Sequence, residues 1–350
     1  MEIRTHSRRS HKNHRLHNSQ PTGLRESTMP DVRVLSCGGT IASEPSETGA
    51  APAKRGAELV EAVPELDEYA TVAAEEIASH PGFDMQFAAV AAVAEAVDAS
   101  DADGFVVTHG TDTLADTAYA LSLLVDADVP VVVTGSQRRF DEVGTDAPAN
   151  LLTAVRAAAS PRFTGVFVAF DDELHAARDV EKTHTNALST FKSPGKGPVA
   201  TFTRSETHVH RSAESTSGPG SASLPVAAAA DASATVPVVH SGIGVGGDEL
   251  DRAVDAGADG VVVEGTGLGN VSCRLGDAIA RATETLPVVV SSRCHVGPTD
   301  QVYGTPGGGV TLREHSALFS GDLPTSKARI KLLLALSAGI EGDELAALFD

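Results

Sequence analysis

From Asp31 onward, short apolar runs alternate with longer amphipathic ones, and Gly-rich turns stand between them. Residues 32–36 read as a strand that ends at Gly38-Gly39. Residues 58–63 read as a helix, 72–77 as a strand, and the Ala/Val-rich 87–97 as a helix. The rhythm continues with strand 104–108, helix 114–125, strand 129–134, helix 150–159 and strand 165–170. Continuous apolar strands alternating with helices of this length predict a mainly parallel sheet covered on both faces. Residues 205–235 break the pattern with Ser, Ala, Gly and Pro, which is linker composition. Strand 236–240, helix 249–256, strand 260–263, helix 274–285, strand 287–291 and a closing helix 326–336 then resume it. The expected fold class is α/β. It has a larger N-terminal domain with a mainly parallel sheet (31–204), a linker (205–235) and a smaller C-terminal α/β domain (236–350).

The first 28 residues differ from the rest, with Arg4, Arg8, Arg9, Lys12, Arg15 and Arg25 against only Glu2 and Glu26. Ser7-Arg8-Arg9 has the look of a twin-arginine export signal. The stretch that follows is His11-Lys12-Asn13-His14-Arg15 instead of an apolar run, so no signal peptide is expected. Residues 1–30 are read as a disordered tail, with Met29 a possible natural start. Apolar residues make up 41% of the chain, enough for a substantial core. The net charge of -20 disfavours nucleic acid and anionic membrane as partners. Seven of the 27 basic residues are Lys, and aromatics are few. That balance predicts a halophilic protein, whose self-repulsion concentrated salt screens. Cys37, Cys273 and Cys294 form no C-x-x-C pair, which predicts a reducing, cytoplasmic location. None of the 13 His has zinc-site spacing, so no metal is expected.

Three segments carry candidate chemistry. Cys37-Gly38-Gly39-Thr40-Ile41-Ala42 follows the first strand. Its glycines permit a sharp turn and close substrate approach, and exposed N–H groups there would suit an oxyanion. Thr40 is either a nucleophile or a helix cap. His109-Gly110-Thr111-Asp112-Thr113 follows strand 104–108, at the strand end where open α/β sheets bind ligands. Asp112 would attract a substrate ammonium, or else Asp112 or Thr113 caps the next helix. Asp179-Val180-Glu181-Lys182-Thr183-His184-Thr185 offers a Lys that acts as a base when neutral, or else lies in a polar surface loop.

Taken together these segments resemble the L-asparaginase family. The first motif is similar to T-G-G-T-I-A, with Cys37 in place of the leading Thr, and His109 to Thr113 match H-G-T-D-T in full. Asp179 to Thr185, followed by Phe191-Lys192-Ser193, match the family's D-V-x-K-T-x-T and F-K-S. The resemblance spans residues 31–350, leaving out the tail and the linker. It implies hydrolysis of an amino-acid amide to the acid and ammonia through an acyl-enzyme, without a cofactor. Thr40 is then the nucleophile, Thr111 and Lys182 the proton relay, and Asp112 the ammonium partner. Gly39, Thr40, Gly82, Phe83, Thr111, Asp112 and Ser136 would bind substrate. Asn270 would reach the site of a neighbouring subunit in a homodimer or homotetramer. The family's mobile loop after the first motif usually offers a Tyr, and none occurs between Ile41 and Leu59. Its S-Q-D-M wall becomes Gly82-Phe83-Asp84-Met85.

Competing readings remain. Gly242, Gly244 and Gly247 satisfy G-x-G-x-x-G after a strand, and Glu264 ends the next strand, as an NAD-binding oxidoreductase domain would require. A non-catalytic amino-acid-binding protein is a third class. An amidotransferase subunit acting on charged tRNA shares the catalytic motifs and usually carries an added N-terminal domain, which residues 1–30 are too short to supply.

Overall fold

The computed structural model describes residues 29–46, 49–52, 55–126, 128–212 and 224–349. The tail and the centre of the expected linker lie outside the described residues. The first half runs β1 (Asp31–Gly38), β2 (Ser43–Ser46), β3 (Gly49–Pro52), α1 (Gly56–Glu61), β4 (Thr71–His80), α2 (Phe87–Asp98) and β5 (Gly104–Thr108). It continues with α3 (Leu114–Leu124), β6 (Pro130–Thr134), α4 (Ala147–Ala158), β7 (Gly165–Phe170), β8 (Glu173–Ala176), β9 (Glu181–Lys182), β10 (Phe191–Lys192), β11 (Ala200–Phe202) and β12 (Thr207–Val209).

One eight-stranded sheet has the order β12-β11-β8-β7-β6-β5-β1-β4. Its β4-β1-β5-β6-β7 part is parallel. The strands β8, β11 and β12 extend it antiparallel. The period-2 alternation of side chains sorts the apolar residues onto two faces. Leu35, Phe105 and Val107 pack under α2 and α3, whereas Val34, Val106 and Phe167 pack under α1 and α4. The antiparallel extension is invisible in the apolar pattern because its strands have only three or four residues. The stretch read as linker contributes β12 to this sheet and a helix, α5 (Val226–Asp231), whose Ala229 joins the core on the α2 side.

The second half runs β13 (Val238–His240), α6 (Asp248–Asp255), β14 (Val261–Gly265), α7 (Cys273–Ala282), β15 (Val288–Ser292), α8 (Gly309–Glu314), β16 (Leu318–Phe319), α9 (Thr325–Ser337) and α10 (Gly342–Phe349). Its four strands form a wholly parallel sheet in sequence order. One face packs on α6, α7 and α8. On the other, Val262 and Val289 share a core with Ala328, Leu332 and Leu334 of α9 and with Leu121 and Leu124 of α3. Helix α9 therefore ties the small sheet to the large one.

At the carboxyl edge of the large sheet, three backbones meet without side chains. A Cβ on Gly39 would lie 2.2 Å from the Gly110 nitrogen, and one on Gly110 would lie 2.4 Å from the Gly82 Cα. Gly39 also has φ of 83° and ψ of -175°, a conformation essentially reserved for glycine. The turns after β1, β4 and β5 can approach this closely only because all three residues lack a Cβ. Gly110→Ala should therefore destabilise the fold by about 1–3 kcal/mol, as overpacking does. Gly304→Ala, where a Cβ meets nothing within 4 Å, should change stability little. Urea unfolding of the two variants checks this, and equal midpoints would contradict the close approach.

Candidate active site

The glycine junction sets Thr40, Thr111 and Phe83, each the residue after one of its members, around a common mouth. The Gly82 side is tied down further: the Thr113 hydroxyl donates to the Gly82 carbonyl at 2.6 Å. Thr113 stands at the N-cap position of α3 but spends its hydroxyl on Gly82 and not on the helix, and the cap of the short turn at Thr40 is Gly39. The Gly39 N–H donates to the His80 carbonyl at 3.0 Å, so it is not open to an oxyanion, contrary to the simplest reading of the first motif. The Ser43 hydroxyl, at the start of the β2–β3 hairpin, donates to the Gly39 carbonyl at 2.8 Å.

Lys182 comes to this mouth from far along the chain. Its Nζ donates to Thr111 Oγ1 at 2.9 Å and to Asp112 Oδ1 at 2.8 Å. The Lys182 side chain is 18% exposed and that of Asp112 is 55% exposed. Lys182 is thus enclosed against the two residues it touches, and Asp112 keeps an open side toward solvent. The surface-loop reading of Lys182 fails on this geometry.

Two neighbours of the motifs are chemically quiet. His109 is fully buried, and burial drives its pKa down to about 4, against a raising effect of the Gly110 carbonyl. Its Nδ1 lies 2.7 Å from that carbonyl, which only accepts, so Nδ1 carries the proton. Nε2 then accepts from the Thr117 hydroxyl at 3.0 Å. Both ring nitrogens are occupied. The Cys37 thiol is pushed up to about 12, first by burial and then by the charge of Glu76, so it holds its proton.

Three further expected site residues have their own surroundings. The Phe83 ring is 76% exposed and stands outward, away from the core. Ser136 is fully buried, and its hydroxyl donates to the Arg138 carbonyl at 2.6 Å. Its side chain shapes the turn after β6. The Asn270 side-chain oxygen accepts from the Gly309 N–H at 3.2 Å, within its own chain. The side chains of the loop from Glu44 to Lys54, where the family places its Tyr, lie outside the described residues.

Sequence reading missed the groups that hold Lys182 in place. Asp179 sits in a cluster with Lys196 at 2.8 Å and Arg211 at 3.0 Å. Lys196 also reaches Asp322 at 2.7 Å. Lys327 is buried in α9 and donates to carbonyls just before Lys182. The available signal was compositional. In a chain with seven Lys, two occur four residues apart within an Ala/Ile/Leu-rich helix, at 327 and 331.

The dinucleotide reading of Gly242 to Gly247 does not survive. Helix α6 opens with Asp248, Glu249 and Asp251, which repel a pyrophosphate. A Cβ on Gly247 would fall 2.5 Å from the Ala278 Cβ, so this glycine lets α6 pack on α7. Glu264 is already engaged by His240 Nδ1 at 2.7 Å and by the Thr325 hydroxyl at 2.9 Å.

Comparison with known proteins agrees with this geometry. Residues 31–215 match the N-terminal asparaginase domain, and residues 235–349 the glutaminase/asparaginase C-terminal domain. A probable periplasmic L-asparaginase of Haemophilus influenzae is 35% identical over 88% of this chain and 89% of its own length. L-asparaginase 2 of Escherichia coli is 33% identical over 92% of this chain and 93% of its own. A glutamyl-tRNA(Gln) amidotransferase subunit of Methanosarcina mazei is 35% identical over 88% of this chain and 74% of its own. The cytoplasmic expectation is overturned by the first of these, a relative named as periplasmic. Scarce cysteine was a weak guide to compartment, since a chain that folds without disulfides folds on either side of a membrane. Among the described residues, no helix is long and apolar enough to cross one. With both domain families matched in order and the Lys182, Thr111 and Asp112 contacts at their centre, the chain belongs to the asparaginase family of amidohydrolases.

Proposed function

We propose that this amidohydrolase is an L-asparaginase that converts L-asparagine to L-aspartate and ammonia. The observation that carries the proposal is the contact of Lys182 Nζ with Thr111 and Asp112, residues 71 and 70 positions away in sequence. The open side of Asp112 takes the substrate ammonium, and the backbone N–H groups of Gly82 and Phe83 take its carboxylate. The Thr40 hydroxyl attacks the amide carbon and gives up its proton through Thr111 and Lys182. Return of a proton to the amide nitrogen releases ammonia and leaves an acyl-enzyme, which water hydrolyses to aspartate and free Thr40. Glutamine is longer than asparagine by one methylene. A methylene alone discriminates by about 1–3 kcal/mol.

Ammonia release from asparagine should need no added metal or nucleotide and should exceed release from glutamine at least about tenfold in kcat/KM. Lys182→Ala should lower kcat at least about 10²-fold, the usual worth of a positioned base. Near-normal turnover in that variant would remove Lys182 from the mechanism. Amide hydrolysis that appears only with glutamyl-tRNA(Gln) would point to the amidotransferase activity instead. The partner is proposed to be a second copy of the chain, in a homodimer or homotetramer, and a monomer by light scattering would refute that.

We also infer adaptation to concentrated salt. The support is the use of Lys: all five in the described residues are tied into tertiary contacts. Lys182 binds Thr111 and Asp112, Lys192 binds Glu173, and Lys196 binds Asp179 and Asp322. Lys327 and Lys331 bind buried backbone carbonyls. Every described Lys thus has a protein partner, while 47 acidic residues leave the chain at -20. The melting temperature should rise from dilute buffer to molar KCl, where the Debye length shrinks to about 3 Å. A melting temperature that does not respond to KCl would end this inference.

A further inference from the structure

The segment that carries Lys182 is a short hairpin, closed beyond Lys182 by bonds from Thr183 and the His184 N–H to Thr190. Strand β9 has two residues, and among the described residues its ladder is the two-residue pairing with β10. Yet Lys182 Nζ must be held to within a fraction of an ångström to touch Thr111 and Asp112 together. The hairpin itself is anchored from the C-terminal half of the chain. Lys327, in the first turn of α9, is 1% exposed. Its Nζ donates to the carbonyls of Ala177 at 2.9 Å, Arg178 at 2.9 Å and Val180 at 2.6 Å. An ammonium has three N–H donors, and three converging carbonyls use all of them. The same Nζ lies 5.7 Å from the ring centroid of Tyr119 on α3, the helix that begins directly after Thr113. One buried cation thus touches both the run leading into Lys182 and the helix that follows Thr111 and Asp112.

Keeping Lys327 charged works against a desolvation penalty. Burial pushes its pKa down to about 7; the carboxylates of Asp116, Glu181 and Asp179 oppose that, and Arg178 adds to it. An apolar residue in α9 would avoid the penalty but would leave three buried carbonyls unpaired. The neighbouring ion pairs support the same strap. Arg178 reaches Asp322 at 2.5 Å, and Lys196 bridges Asp322 to Asp179.

We propose that Lys327 is a positioning residue of the active site, which fixes Lys182 between Thr111 and Asp112 by gripping the backbone of residues 177–180. Its kinetic consequence rests on Lys182 acting as the base described above. The C-terminal half is then part of the catalytic apparatus within a single chain, since α9 sets the place of a side chain that the N-terminal half supplies. Displacements of about 1 Å in a reacting group can cost up to about 10²-fold in rate, so a loosened strap acts on kcat more than on substrate binding.

The test uses Lys327→Met, Lys182→Ala and the double variant, with ammonia release and ¹⁵N-lysine NMR as readouts. The Lys182 Nζ signal is assigned by its loss in Lys182→Ala. Lys327→Met should lower kcat about tenfold and leave KM within about threefold. In the Lys182→Ala background the same change should alter kcat less than about twofold, because the residue it positions is already gone. The Lys182 Nζ signal should shift or broaden in Lys327→Met. A folded Lys327→Met with normal kcat and an unmoved Lys182 signal would overturn the proposal, as would an equal loss in both backgrounds. If the unmodified protein releases no ammonia, the asparaginase reading fails, and the Lys182 signal alone decides the positioning role. Should Lys327→Met not fold, Lys327→Arg keeps a buried cation whose planar fork cannot meet three converging carbonyls. Full kcat with an unmoved signal in that variant would also refute the grip.

Discussion

Everything at this site depends on three backbones coming closer than any side chain allows. Gly39, Gly82 and Gly110 end the turns after β1, β4 and β5, and each would place a Cβ within 3 Å of another's backbone. Parallel strands hydrogen-bonded side by side bring these turns to the same sheet edge. The absence of Cβ atoms lets the turns close on one another and bring the residues that follow to a single mouth. The Thr113 hydroxyl on the Gly82 carbonyl locks the arrangement.

The second constraint is cationic. Lysine is scarce, and in the described residues it is spent on tertiary contacts. Lys327 and Lys331 lie four residues apart on α9 and face the interior, where one meets carbonyls 177, 178 and 180 and the other the Leu348 carbonyl of α10. Arg178 and Lys196 join Asp179 to Asp322 across the two halves of the chain. Burial alone would raise the Asp322 carboxyl, but Arg178 and Lys196 outweigh it and hold the group at about 2. These cations bind the halves together where the chain runs from β8 of the large sheet to Lys182.

Much of the fold was legible in the sequence because long elements average over many positions. Strand 104–108 and strand 165–170 appear where the apolar runs lie, and the helix expected at 87–97 spans Phe87–Asp98. The short antiparallel strands were not legible. A ladder such as Glu181–Lys182 with Phe191–Lys192 has no periodicity to read, and its pairing is decided by partners elsewhere. The stretch 205–235 likewise looked like linker by composition, yet Thr207–Val209 pairs with β11, and Val226–Asp231 forms a helix on the α2 side.

The sequence by itself determined which residue types were on hand: the two Gly-plus-Thr turns, Asp112, and a Lys embedded in a polar run. Those motifs are local, so their order along the chain survives in one dimension. Tertiary structure alone decided which candidates meet. Lys182 reaches Thr111 across 71 positions, Ser136 turns inward to a backbone carbonyl, and Glu264 is engaged by His240 and Thr325. It alone disclosed Lys327, whose role lies in three carbonyls that carry no sequence signature. A backbone carbonyl is the same in every residue, so only the path of the chain determines where three of them converge on one ammonium.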